Sequence, residues 1–178
     1  MNLNIEELKY PIGKFEAPLV IDENQIQKWI KSIEAFPKKL DSEIEKLTLS
    51  TLEKKHRPNG WTITQIIHHC ADASMNGIIR FKLALTEEKP TIKPFEEQKW
   101  AELLDGKSFP IASSLKIIEG IHQKWVILLN SLSESDFERV FFHPEKQIYI
   151  SLKEAIGMSA WHYDHHLAHI KNAKELNF

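Results

Sequence analysis

Only one cysteine, Cys70, occurs in the 178 residues, so no internal disulfide is available and no CxxC-type pair can hold a metal or carry redox chemistry. That usage fits a reducing, cytoplasmic setting. Basic excess is also lacking, with 23 Lys and Arg against 25 Asp and Glu, which argues against a nucleic-acid partner held through phosphates. No apolar run approaches the roughly 18 residues of a membrane span. The opening MNLNIEELKYPIG has neither the positive start nor the apolar stretch of an export signal, so a soluble, unexported protein is expected. No internal repeat, low-complexity tract or linker divides the chain, and its length suits one domain over residues 1–178. Histidine is what stands out: there are nine, and four of them fall within residues 161–170.

Residues 1–20 contain Tyr10-Pro11-Ile12-Gly13 and Ala17-Pro18, turn and extended chemistry that reads as an ordered arm. From Asp22, an N-cap, the spacing of Ile26, Trp29, Ile30 and Ile33 predicts a helix. Pro37 should kink or interrupt it before Leu40, Ile44 and Leu47 resume the pattern. Thr62 and Gln65 form a capping box for a second helix carrying Ile66, Ile67, Cys70, Ala73, Ile78, Phe81 and Leu85. Pro90, Pro94, Gly106 and Pro110 then mark a long crossover with one short helical piece near residues 96–104. A third helix is expected over residues 112–132, and another short turn over 133–137. Residues 139–143 and 147–150 are β-rich and flank Pro144-Glu145-Lys146, a hairpin signal. Ser151 and Glu154 cap a fourth helix that runs toward Leu176. The expected class is all-α: a four-helix bundle with a long crossover and a small β-hairpin before the last helix.

In the fourth helix His162 and His166 lie four residues apart and emerge from one face a turn apart, a spacing that lets both reach one ion. His165 and His169 repeat that spacing about 100° around the axis, so geometry leaves two candidate pairs. Ala155, Ser159 and Ala173 share the side of His162 and His166 and leave room for a pocket. In the second helix His69 faces inward with Ile66 and Ala73, while His68 points about 100° away and is expected at the surface. A lone inward histidine is more often a hydrogen-bonded core residue than a ligand, which weighs against His69 taken by itself. His56, His122 and His143 read as solvated or locally bonded. Trp61, Trp125 and Trp161 read as core or pocket wall. Arg80 and Asp72 are candidates to line a pocket, although surface ion pairing is the commoner fate.

Gly60-Trp61-Thr62-Ile63-Thr64-Gln65-Ile66-Ile67-His68-His69-Cys70-Ala71-Asp72 and the later Ala160-Trp161-His162-Tyr163-Asp164-His165-His166-Leu167-Ala168-His169-Ile170 are distinctive. With Tyr10-Pro11-Ile12-Gly13, Arg80-Phe81-Lys82-Leu83, Thr86-Glu87-Glu88, Lys93-Pro94-Phe95 and Trp100, in that order, the chain resembles the DinB-like superfamily, and within it the YfiT-type branch of metal-dependent hydrolases. The resemblance implies a four-helix bundle, a zinc or nickel site of three histidines, and a homodimer. It also selects among the histidines. The family's first ligand stands eight residues after the tryptophan of the second helix, here His69; the other two are the histidine after the last helix's tryptophan and the one four residues on, here His162 and His166. Cys70 departs from the family, which commonly carries an aliphatic residue there, and a thiol beside His69 leaves a minor metal role open.

Three neutral imidazoles with one open position suit a single divalent ion, Zn²⁺ first and Ni²⁺ second, acting on a small-molecule substrate. Metal-bound water would make a hydrolase. A bound low-molecular-weight thiol, held as thiolate, would make an S-transferase of the kind some relatives are with bacillithiol or mycothiol. No Asp or Glu takes an HExxH-like position to serve as general base, and Asp164 points about 200° away from His162. A third reading is a noncatalytic metal-binding stress-response module, which a fourth ligand such as His165 or His169 would favour.

Overall fold

Apolar residues three and four apart give a helix one face to bury, and four long stretches of this chain have such a face. In the computed structural model, which describes residues 4–176, the helices are α1 (Ile5–Lys9), α2 (Glu23–Ile44), α3 (Leu49–Leu52), α4 (Ile63–Thr86), α5 (Glu97–Trp100), α6 (Leu104–Lys107), α7 (Ala112–Asn130), α8 (Glu134–Phe137) and α9 (Leu152–Glu175). The short helix α1 lies inside the segment read as an arm. The four long helices form a ring in which α2 and α4 each pack against both α7 and α9. Ile26, Ile30, Ile33, Phe36, Leu40 and Ile44 are the buried stripe of α2, and they meet Ile156, Ala160, Tyr163 and Ile170 of α9 in one core. Both expected capping boxes are present: Thr62 with Gln65 opens α4, and Ser151 with Glu154 opens α9.

α2 runs on through Pro37 as one element, so of the two expected outcomes the interruption does not occur. Proline has no N–H, so the Ile33 carbonyl one turn earlier loses its helical donor. His122 of α7 replaces it, with Nδ1 at 2.7 Å from the Ile33 oxygen. A carbonyl only accepts, so Nδ1 carries the proton. The ring is buried against Phe36 and Tyr163, and its Nε2 lies 3.2 Å from Ser74 Oγ. The sequence reading of His122 as solvated or locally bonded is therefore wrong: its partner lies 89 positions away.

Strands β1 (Val140–His143) and β2 (Ile148–Ser151) pair antiparallel, with Phe141 opposite Ile150, and both of those side chains are buried. The crossover covers the free edge of β1, since Phe142 donates to the Pro90 carbonyl at 2.8 Å and Ile92 donates to the Phe142 carbonyl at 3.0 Å. Arg139 fastens the hairpin to the end of α4 by donating to the carbonyls of Ala84 and Glu87. Cations at a helix C-terminus also complement its dipole. The hairpin thus stands as one wall of the space between α4 and α9.

Candidate metal centre

His69 leaves α4 toward α9, and His162 and His166 leave α9 toward α4, so three imidazoles meet where the two helices face each other. Their donor nitrogens all lie within 4.8 Å of one another. His69 Nε2 is 3.0 Å from His162 Nε2, which is 3.2 Å from His166 Nε2. Two nitrogens on a tetrahedral ion with bonds near 2.05 Å stand about 3.3 Å apart. The spacing therefore fits an ion with little rearrangement. Trp61 packs 4.7 Å from the His69 ring and Phe95 6.2 Å from it, so aromatic surface closes that side.

Burial keeps these rings neutral. It pushes His69 down to about 4, and it holds His162 and His166 well below the ordinary histidine value, with the charges of the other histidines adding to it. A neutral imidazole has a lone pair to give, and a protonated one has none. Nitrogens 3.0 and 3.2 Å apart can share a proton in pairs, and with the ring protons on Nδ1 the same three atoms present their lone pairs to an electron-poor centre between them.

His169 sets the direction of one of them. Its Nε2 is 3.2 Å from the Lys9 carbonyl, which only accepts, so that nitrogen carries the proton. Its Nδ1 is then an acceptor 3.4 Å from His166 Nδ1. A proton on His166 Nδ1 leaves His166 Nε2 bare and facing the cluster. Hydrogen bonds behind ligands commonly fix their tautomer in this way. His169 and the arm that carries Lys9 thus support the site without joining it.

The remaining sequence candidates sort clearly. His165 stacks on Trp161 at 4.6 Å and packs against His169, outside the cluster, and burial brings it down to about 4. His68 is a correction: it is buried, with Nδ1 2.7 Å from Ser114 Oγ and Nε2 2.9 Å from the Phe109 carbonyl. The crossover and α7 cover a flank of α4 that a two-faced helix would leave to water. His56 bonds locally, Nδ1 to the Trp61 carbonyl at 3.0 Å. Cys70 is enclosed in the core, where burial raises its thiol, and it takes no part in the donor cluster. Asp164 bonds Ser32 and Lys39 of α2, so it does point away from His162. Trp125 is core, while Trp61 and Trp161 line the cavity.

The cluster opens into a cavity of about 930 Å³ between α4, α9, the hairpin, the crossover and the N-terminal arm. Arg80 lines it and Asp72 does not; burial raises the Asp72 carboxyl to about 6. Small residues keep the space open on both helices, Ala73 and Gly77 on α4 and Ala155 and Ser159 on α9. Gly77 is also required by packing, because a Cβ there would come within 2.5 Å of the Trp125 ring.

The sequence profile of the DinB superfamily matches residues 32–170. The chain belongs to the DinB superfamily. It is 43% identical over 163 residues to "Putative metal-dependent hydrolase YfiT" of Bacillus subtilis (strain 168), covering 92% of each chain. It is 47% identical over 175 residues to "Putative metal-dependent hydrolase" of Bacillus cereus (strain 03BB102), covering 98% of this chain and 100% of that one. The solved structure of YfiT from Bacillus subtilis, described as a probable metal-dependent hydrolase with an unusual four-helix bundle topology, superposes with a TM-score of 0.92 at 41% identity. That match covers 95% of this chain and 97% of YfiT. The family expectation of a four-helix bundle thus holds, and the histidine cluster of this DinB-superfamily chain fits a metal site.

Proposed function

We propose that this DinB-superfamily chain is a metal-dependent hydrolase in which His69, His162 and His166 hold one divalent ion, zinc by preference and nickel otherwise. The observation that carries this reading is the convergence of three neutral Nε2 atoms at the head of a cavity large enough for a small molecule. A divalent ion held there supplies Lewis acidity toward an acyl or similar electrophile and lowers the pKa of a coordinated water or thiol. The protein's own part is to keep the three rings unprotonated by burial, to fix the His166 tautomer through His169, and to exclude bulk water with Trp61 and Phe95. His165 and His169 stay out of the donor cluster, which leaves room for a further ligand from the cavity side. That supports an enzyme over a storage or stress-response module.

The cavity's volume supports a second reading. Activating water needs little space, whereas about 930 Å³ lies at the upper end of single-ligand pockets and accommodates a substrate together with a low-molecular-weight thiol such as bacillithiol. Thiol S-transfer is the alternative on that ground. A homodimer acting in the cytoplasm completes the proposal, on the family resemblance and the cysteine usage. Among the described residues no helix is long and apolar enough to cross a membrane.

Elemental analysis of the purified protein and of His166→Ala tests the metal. About one zinc or nickel per chain, lost in the variant, supports the site; no metal after reconstitution sinks it. Assays of an ester and of an electrophilic thiol acceptor, each with and without added thiol, then separate the reactions. Consumption that requires thiol selects transfer, and consumption without it selects hydrolysis.

A further inference from the structure

Arg80 lines this cavity on the same helix as His69. It lies eleven residues after His69 on α4, three helical turns on, so both side chains project from one face with Ala73 and Gly77 between them. Helical side chains lean toward the N-terminus, so the Arg80 side chain leans back along the face that carries His69. Its charge is felt at His162.

Among the described residues this guanidinium has no ion pair, and its Nε is buried with no hydrogen-bond partner. Phe81, Phe141 and Ile150 line the cavity beside it. The nearest acidic influence is Glu145, exposed at the hairpin turn and not paired with it. On β1, His143 also faces the cavity with a buried, unpartnered Nδ1, and it feels the charge of Arg80. Arg80 is half-buried with its Nε cut off from water, an arrangement that favours an acceptor there, and planar guanidinium matches a carboxylate with two parallel hydrogen bonds. An anionic oxygen pair entering the cavity would give the Arg80 Nε its missing acceptor, with His143 close enough to sense the same charge.

We propose that Arg80, with His143 beside it, is a carboxylate-binding site, so that the molecule spanning this cavity carries a carboxylate at the end distant from the three histidines. The orientation rests on the metal-site reading above, but the carboxylate site itself does not need the ion. A carboxylate on the substrate or on a thiol co-substrate would satisfy it equally.

Trp61 and Trp161 line the cavity and serve as reporters. Tryptophan fluorescence titrations of zinc-loaded and of chelator-stripped protein would use 6-mercaptohexanoate, its uncharged amide, and hexanoate as a thiol-free acid. The acid should bind about tenfold or more tighter than the amide. The preference should vanish in Arg80→Gln and survive in part in Arg80→Lys, which also guards against misfolding of the first variant. Equal affinities in the wild type, or a preference that persists in a folded Arg80→Gln, overturn the proposal. So does a tightening of acid binding no larger in Glu145→Gln than in the amide control, because Glu145 is the residual competitor for Arg80. Hexanoate competing as well as the thiol acid supports the site with the carboxylate on the substrate; weaker competition supports it with the carboxylate on the thiol. Zinc strengthening acid and amide alike with no preference between them sinks the carboxylate site and leaves the metal site standing. A preference for the acid that persists while zinc strengthens neither ligand does the reverse.

Discussion

The chain buries imidazoles in two regions, and they are bonded differently. In the core, His122 and His68 spend their ring nitrogens on fixed partners: the Ile33 carbonyl and Ser74 for one, the Phe109 carbonyl and Ser114 for the other. At the cavity, His69, His162 and His166 turn Nε2 toward one another. Burial lowers the proton affinity of His122 and His69 alike, each to about 4. A depressed pKa therefore does not mark a ligand. What separates the two regions is where the lone pair goes, into a backbone or hydroxyl partner or into a shared gap.

Exchanging a residue of one region for one of the other should give the largest contrast. His69→Ala is expected to take the protein from about one ion per chain to none, while the adjacent His68→Ala keeps the ion and loses stability by about 1–3 kcal/mol, since it strands Ser114 and the Phe109 carbonyl. Metal content and urea midpoints measure both, and retention of a tight ion in His69→Ala would erase the distinction. His122→Ala should be more damaging to the fold, by about 2–4 kcal/mol, because it opens a cavity and leaves the Ile33 carbonyl without a donor. Pro37→Ala restores a helical N–H to that carbonyl, so in the His122→Ala background it should recover about 1 kcal/mol more than it gains in the wild type. Additive effects would mean that His122 does not stand in for the missing N–H.

Much of this contrast was legible in sequence and part was not. Helical periodicity, the Thr62 and Ser151 capping boxes and the Pro144-Glu145-Lys146 turn located the four helices and the hairpin, because each is a local signal. The pairing of His162 with His166 follows from one helix's geometry, but the preference for it over His165 and His169 came only from family resemblance, since the choice depends on how α9 is rotated against α4. His68 and His122 were misread for a related reason. Their partners lie 41 to 89 positions away, on a crossover whose path and a helix whose packing no local pattern specifies. The one available clue was Pro37 inside an otherwise continuous apolar stripe: an unbroken helix there requires some donor for Ile33. Arg80 was a candidate to line a pocket, as it does, but surface ion pairing was the commoner expectation, because an arginine in the last third of a helix looks the same in sequence whether it meets solvent or a cavity.

Smaller changes sharpen the comparison within the cavity region. His169→Phe preserves a ring but removes the bonds to Lys9 and His166, and is expected to weaken metal affinity by about 10–100-fold without changing the stoichiometry at saturation. Competition with a chromophoric chelator would measure it. A loss as complete as that of His69→Ala would make His169 a ligand instead.

The smallest effect is in pH. For His122 the folded value near 4 lies below the ordinary 6.5, so between those limits the unfolded chain binds more protons and stability rises with pH. The contribution is whole above about pH 6.5 and is lost as pH falls toward 4, with a slope of up to about 1.4 kcal/mol per pH unit for each such histidine. Urea midpoints of metal-free protein at pH 7, 6 and 5 should therefore fall more steeply for the wild type than for His122→Leu. Adding zinc should steepen the wild-type profile again and should do the same in His122→Leu, because the ion demands neutral His69, His162 and His166 and makes no demand on the core ring. If zinc steepened only the wild type, the two sets of histidines would be energetically one, and the separation between structural and metal-facing imidazoles would fail.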